Sequence, residues 1–153
     1  MQLTKTFTDA QYAQALESWA WLDLGDRKPV FTSLFGDVFL VGPDGVSYLD
    51  VIEGRLTTGL WPDGAALEAA LNTEEGQDRY LLGGLAFGAQ ARGLLLGPDQ
   101  VYTFMPPPVL GGKVGLDSIE VYDFVMAVDI AGQIHDQIRA LPPGTPIGSI
   151  KIA

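Results

Sequence analysis

The chain contains no cysteine. Disulfides, thiolate zinc sites, iron–sulfur clusters and a cysteine nucleophile are therefore excluded together. Histidine is almost as scarce, with His135 standing alone. A mononuclear zinc site would have to combine that one ring with carboxylates, and a Ser-His-Asp triad would have to use the same ring. No G-x-S-x-G elbow accompanies it. Basic side chains are few: nine Lys and Arg face nineteen Asp and Glu, for a net charge of −10 and a pI near 4.2. Such a field repels nucleic acid and anionic lipid and speeds encounter with basic partners. Long apolar runs are also missing. The greasiest stretch, 81–96, is interrupted by Gly83, Gly84, Gly88, Gly93 and Arg92, and a membrane span needs about 20 mainly apolar residues. The N-terminal segment has no apolar core of the signal-peptide kind. These absences describe a cytoplasmic protein that binds neither membrane nor nucleic acid.

What is present is an ordinary globular composition, 47% hydrophobic and 18% charged over 153 residues. That length suits one domain spanning 1–153, which can bury roughly 70% of the surface of its unfolded chain and needs no metal or disulfide to do so. Thr8 followed by Gln11 is a capping-box pattern that predicts a helix from Asp9, with Tyr12, Leu16 and Trp19 as its buried stripe. Four β-prone runs follow, at Val30-Phe31, Val38-Phe39-Leu40-Val41, Val46-Ser47-Tyr48-Leu49 and Leu56-Thr57-Thr58. Turn signals at Gly36-Asp37, Pro43-Asp44-Gly45 and Glu53-Gly54 separate them and predict an antiparallel meander over about 30–60.

Asp63 and Thr73 are N-cap candidates for two helices, the second with Glu74 and Glu75 in its first turn, where the helix dipole favours anions. Gly83 and Gly84 either end that helix or mark a close helix contact, and a further short helix is expected near 85–92. Strands are expected at Val101-Tyr102-Thr103-Phe104 and over 118–122, with Pro106-Pro107-Pro108 running extended between them. Asp123 caps a long C-terminal helix whose apolar face is Phe124, Val128, Ala131, Ile134, Ile138 and Leu141, stopped at Pro142-Pro143-Gly144. The expected fold class is α+β: an antiparallel β-meander packed with several helices, the last one long.

Motifs that would commit the chain to a chemistry fail on inspection. Gly111-Gly112-Lys113 is followed by Val114, and Pro107 stands where a phosphate loop needs its leading glycine. Gly83-Gly84 with Gly88 lacks dinucleotide-binding spacing and follows a helical pattern. Asp23 with Asp26 reads as turn chemistry, and Glu74, Glu75 and Asp78 as a helix start. His135 reads as a satisfied histidine on a helix surface, and Trp19, Trp21, Phe31, Phe35, Phe39 and Tyr48 as core. Two segments are left over: Trp61-Pro62, and the aromatic, proline and glycine run from Tyr102 through Gly112. With the turn residue Asp37 they give the candidates for a partner-binding surface, namely Asp37, Trp61, Tyr102, Met105 and Pro107. No catalytic, cofactor-binding or metal-ligating residue is assigned.

Several of these segments, in their order and spacing, resemble one known family. They are Phe35-Gly36-Asp37-Val38-Phe39, Leu49-Asp50 with Gly54, Tyr102-x-Phe104-x-Pro106 closing on Leu110-Gly111-Gly112, and then Asp123, Ala131-Gly132-Gln133-Ile134-His135 and Pro142-Pro143-Gly144. The family is the bacterial domain of unknown function named after the C-terminal domain of a type VI secretion system immunity protein, whose namesake is held to neutralise a co-encoded DNase toxin. The resemblance runs from about Trp19 to the C-terminus. It implies a mixed α+β domain with no cofactor, no catalysis and a protein partner, and it carries over no toxin-contacting residue.

Three hypotheses follow. The first is a non-catalytic binding module, in its sharpest form an immunity protein that neutralises a co-encoded basic toxin such as a nuclease. The second is a structural or regulatory subunit pairing through sheet edges or the 105–110 loop. The third is a small-molecule-binding protein or enzyme built on a pocket around Tyr102, Asp37 and His135.

Overall fold

Thr8 opens the first helix as expected. Its hydroxyl accepts from the Gln11 amide at 3.2 Å, and its own amide donates to Gln11 Oε1 at 2.9 Å, so the helix start has both of its box bonds. The computed structural model describes residues 2–142, 144, 148 and 150–153. A short strand β1 (Thr4–Lys5) precedes this helix, α1 (Asp9–Leu16), and a 3-10 turn (Glu17–Leu22) extends it. Four strands follow: β2 (Lys28–Ser33), β3 (Val38–Gly42), β4 (Gly45–Asp50) and β5 (Arg55–Trp61). They form one antiparallel sheet in the order β1-β2-β3-β4-β5.

The apolar runs of β3 and β4 lack the alternation of a half-exposed strand because both faces of this sheet are covered. Phe39 pairs with Tyr48 and Phe31, and these three point to one face. There they join Trp61 and meet Leu67, Leu81 and Ala86, from α2 (Gly64–Leu71), α3 (Glu74–Leu81) and α4 (Gly83–Ala91). Val38, Leu40 and Leu49 point to the other face and pack with Tyr12, Ala15, Trp19, Phe124 and Val128. Asp63 and Thr73 cap α2 and α3 through the amides of Ala66 and Gly76. The break between α3 and α4 falls on Leu82, held left-handed at φ +51°. Gly83 and Gly84 therefore begin a helix and do not end one.

After α4 come β6 (Gln100–Phe104) and β7 (Ile119–Asp123), a second, two-stranded antiparallel sheet, and then the long α5 (Phe124–Ala140). The small sheet is tied to the large one by the Tyr102 amide donating to Leu34 O at 2.8 Å, and by Lys5 Nζ donating to Gly97 O and Gln100 O. Asp123 caps α5 through the Met126 amide. The 3-10 turn and α5 approach closely at Gly132, where a β-carbon would sit 2.2 Å from Ser18 Oγ. Only glycine fits there, and the Trp19 indole uses the space to donate to Val128 O at 2.8 Å.

The α+β meander with a long last helix is thus the observed architecture. Two local expectations are corrected. Pro106-Pro107-Pro108 does not run extended throughout: Pro108–Leu110 close a 3-10 turn with the Leu110 amide on Pro107 O at 2.9 Å. His135 is buried, 7% exposed, and not on the helix surface. The proline stop after α5 is only partly visible, since Pro143 lies outside the described residues. Among the described residues, no helix is long and apolar enough to cross a membrane.

Candidate functional site

Where α5 crosses the small sheet, the two elements do not close completely. Ala127, Ile130, Ala131 and Ile134 recur at helical spacing along one side. Thr103 and Tyr122 of the hairpin, with Met105, Pro107 and Val109 of the segment after β6, form the other. Phe35, Val51, Tyr102, Phe104, Val128 and His135 lie beneath. The volume of the opening is about 50 Å3. Stacked rings stiffen the floor: Phe35 lies 5.2 Å from Phe104, with planes 11° apart, and 5.4 Å from Tyr102. The Tyr102 hydroxyl is turned away and donates to Leu94 O.

Asp37 and His135, two buried ionisable groups near this cavity, are each bonded to the backbone of Val51. Asp37 Oδ1 accepts from the Val51 amide at 2.9 Å, and its other oxygen accepts from the Ser33 hydroxyl at 3.2 Å. His135 Nε2 lies 3.1 Å from Val51 O. A carbonyl only accepts, so Nε2 carries the proton. Residue 51 is held at its N–H by the β2–β3 turn and at its C=O by α5. Burial pushes the Asp37 carboxyl up to about 8, with the neighbouring Asp50 carboxylate adding to the rise. Burial raises Asp50 too, although its carboxylate accepts from the amides of Ile52 and Glu53. The Tyr48 hydroxyl is raised by burial and then by Asp37. His135 is lowered, burial outweighing the Val51 carbonyl that favours its proton.

The surface candidates separate sharply. Asp37 at 1% exposure, Trp61 at 6% and Tyr102 at 1% are interior residues and present no side chain to a partner. Trp61 instead packs edge-on against Tyr80, 4.9 Å away, and binds α3 to the sheet. Met105 and Pro107 do border the cavity and are half-buried. The pocket expected around Tyr102, Asp37 and His135 is lined by the tyrosine and the histidine, while Asp37 lies behind Val51. Sequence reasoning missed Thr103, Tyr122, Ala127 and Ile130. The helical spacing of 127, 130, 131 and 134 was legible, but a stripe of that kind also describes plain core.

A second hollow of about 470 Å3 lies between α2 and the sheet, lined by Val30, Phe31, Val41, Val46, Leu67 and Leu71 among others. Among the described residues, no group of three or more His, Asp or Glu is placed to hold a metal ion.

Residues 66–135 match the family model described as the type VI secretion system (T6SS) immunity protein Tdi1, C-terminal. It is the family that the motifs resemble, over a shorter stretch: the match takes in most of α2, then α3, α4, both strands of the small sheet and α5 as far as His135, and leaves the meander outside. No curated protein matches the chain. The cavity walls from α5, the hairpin and the loop fall within the matched residues, whereas Phe35, Val51 and Ile52 fall outside them.

Proposed function

We propose that this chain is an immunity-type protein that acts in the cytoplasm, without catalysis and as one domain, by binding a protein toxin and blocking its action. The match over residues 66–135 carries the reading. The charge balance of nineteen acids against nine bases supports a cationic toxin, such as a nuclease, as the partner, because opposite net charge steers encounter and disfavours neutral competitors. The engagement of both Asp37 oxygens, by the Val51 amide and the Ser33 hydroxyl, supports binding over turnover at that carboxyl, because a general acid or base must be free to reach a substrate proton.

The test is co-expression with a toxin encoded beside this gene. The chain should restore growth and co-purify with the toxin as a stable complex. Unrelieved toxicity, with no complex between the purified proteins, would sink the reading.

A further inference from the structure

We infer that the cavity between α5, the β6–β7 hairpin and the 105–110 loop is an anchor pocket for a single branched aliphatic side chain, carried on a lysine- or arginine-bearing segment of the protein partner. This rests on the binding reading above and adds where the contact is made and what recognises it.

The walls decide the character of the anchor. Ala127, Ile130, Ala131, Ile134, Met105 and Pro107 present carbon, and two of the polar groups that border the space already have partners. The His135 Nε2 proton is on Val51 O, and the Tyr102 hydroxyl is on Leu94 O. A polar group entering here would lose water and find little beyond the hydroxyls of Thr103 and Tyr122 to bond to, whereas an apolar one loses nothing.

Size narrows the choice. An apolar cavity of about 150 Å3 accepts benzene, and a water needs at least roughly 10–15 Å3 on the same kind of measure. The 50 Å3 here lies between, so a valine- or leucine-sized group fits and an aromatic ring does not. The floor is already ordered by the Phe35–Phe104 stack and by the two bonds on Val51. Filling it therefore orders little that was mobile, which is how a small buried pocket comes to dominate an interface.

Charge identifies the flanks. Among the described residues, no lysine or arginine lines the cavity. Glu120 pairs directly with Thr103 across the hairpin, so its side chain is on the same face as the lining residues Thr103 and Tyr122. Asp123 stands one helical turn before Ala127. The ion pairs among the described residues involve Asp44, Glu53, Asp117 and Asp136, and neither of these two acids. An aliphatic anchor with a cation beside it satisfies both features.

The test uses the full chain, labelled for amide NMR, and four blocked peptides: Lys-Leu-Lys, Lys-Ser-Lys, Glu-Leu-Glu and Lys-Phe-Lys. Lys-Leu-Lys should shift the amides of Thr103, Ile130 and Ala131 in a saturable way and bind several-fold tighter than the other three. Glu120→Gln, an exposed change that leaves the core intact, should weaken Lys-Leu-Lys several-fold and leave Glu-Leu-Glu no weaker. Lys-Ser-Lys or Lys-Phe-Lys binding equally well overturns the aliphatic anchor, and equal binding of Glu-Leu-Glu overturns the cationic flank. Toxin neutralisation without any peptide shift at these amides overturns the pocket and leaves the immunity reading intact. Peptide binding by a chain that fails to neutralise does the opposite.

Discussion

Asp37 and His135 grip the same residue from opposite sides: the Val51 amide donates to the Asp37 carboxyl at 2.9 Å, and the Val51 carbonyl accepts from His135 Nε2 at 3.1 Å. Through this one residue the meander and the last helix are joined at the edge of the cavity. Both side chains are buried ionisable groups, so the joint is sensitive to pH.

The Asp37 carboxyl is raised from its ordinary value near 3.8 to about 8 in the folded chain. A folded form that holds its proton more tightly than the unfolded one gains stability that is full below the unfolded value and is lost as pH rises through the folded one. Urea midpoints should therefore carry a contribution that declines between about pH 4 and pH 8. Asp37→Asn should remove that decline. An unchanged slope in the variant would show that the carboxyl does not titrate in this window.

His135 works in the other direction. Its folded value is lowered from 6.5, so the neutral ring is favoured by folding and its contribution is lost as pH falls below that range. In the wild-type chain NMR titration of the ring should give an apparent value under 6.5, and His135→Gln should flatten the acid limb of the stability curve. A ring titrating above its ordinary value would contradict the burial argument.

Gly54 faces that ring. It sits at φ +69°, and a β-carbon there would lie 2.4 Å from His135 Nδ1. Gly54→Ala meets both a left-handed backbone and a collision, and should cost about 2–3 kcal/mol in chemical unfolding. A loss under about 0.5 kcal/mol, the usual range of surface substitutions, would mean that the ring yields freely.

Phe124 and Met126 share the first turn of α5 with opposite fates. Phe124 is fully buried and stacks on Phe7 at 3.9 Å, whereas Met126 is 51% exposed. Phe124→Ala should cost about 3–5 kcal/mol, and Met126→Ala should stay within about 0.5 kcal/mol of wild type. Thermal or urea unfolding of the two variants separates them.

Association with a cationic toxin should be fast at low salt and fall roughly tenfold or more as ionic strength rises towards 0.15 M, with a smaller change in dissociation. Stopped-flow mixing measures this directly. Salt-independent association would remove steering by the net charge of −10.

Residues acting on near neighbours made most of the secondary structure readable in advance. Thr8 with Gln11, Asp63, Thr73 and Asp123 each satisfy amides within three positions of themselves, and the hairpin turns lie where glycine and aspartate cluster. The proline run at 106–108 implies too extended a shape for the 105–110 loop, because proline restricts φ without dictating the turn that Pro108–Leu110 completes. The site was less legible. Asp37, Trp61 and Tyr102 resemble surface recognition residues in a one-dimensional pattern, since composition does not distinguish a polar or aromatic side chain that meets solvent from one whose partner is distant in sequence.

The amino-acid sequence by itself determined the excluded chemistries, the acidity, the helix starts and the meander, because composition and short-range hydrogen bonding depend on the residues at hand. Only the tertiary structure decided that helices cover both faces of the sheet, that His135 is buried, and that α5 and the hairpin leave a small apolar opening between them. Those outcomes depend on which distant segments meet, as Val51 meets both Asp37 and His135, and no local pattern encodes such a meeting.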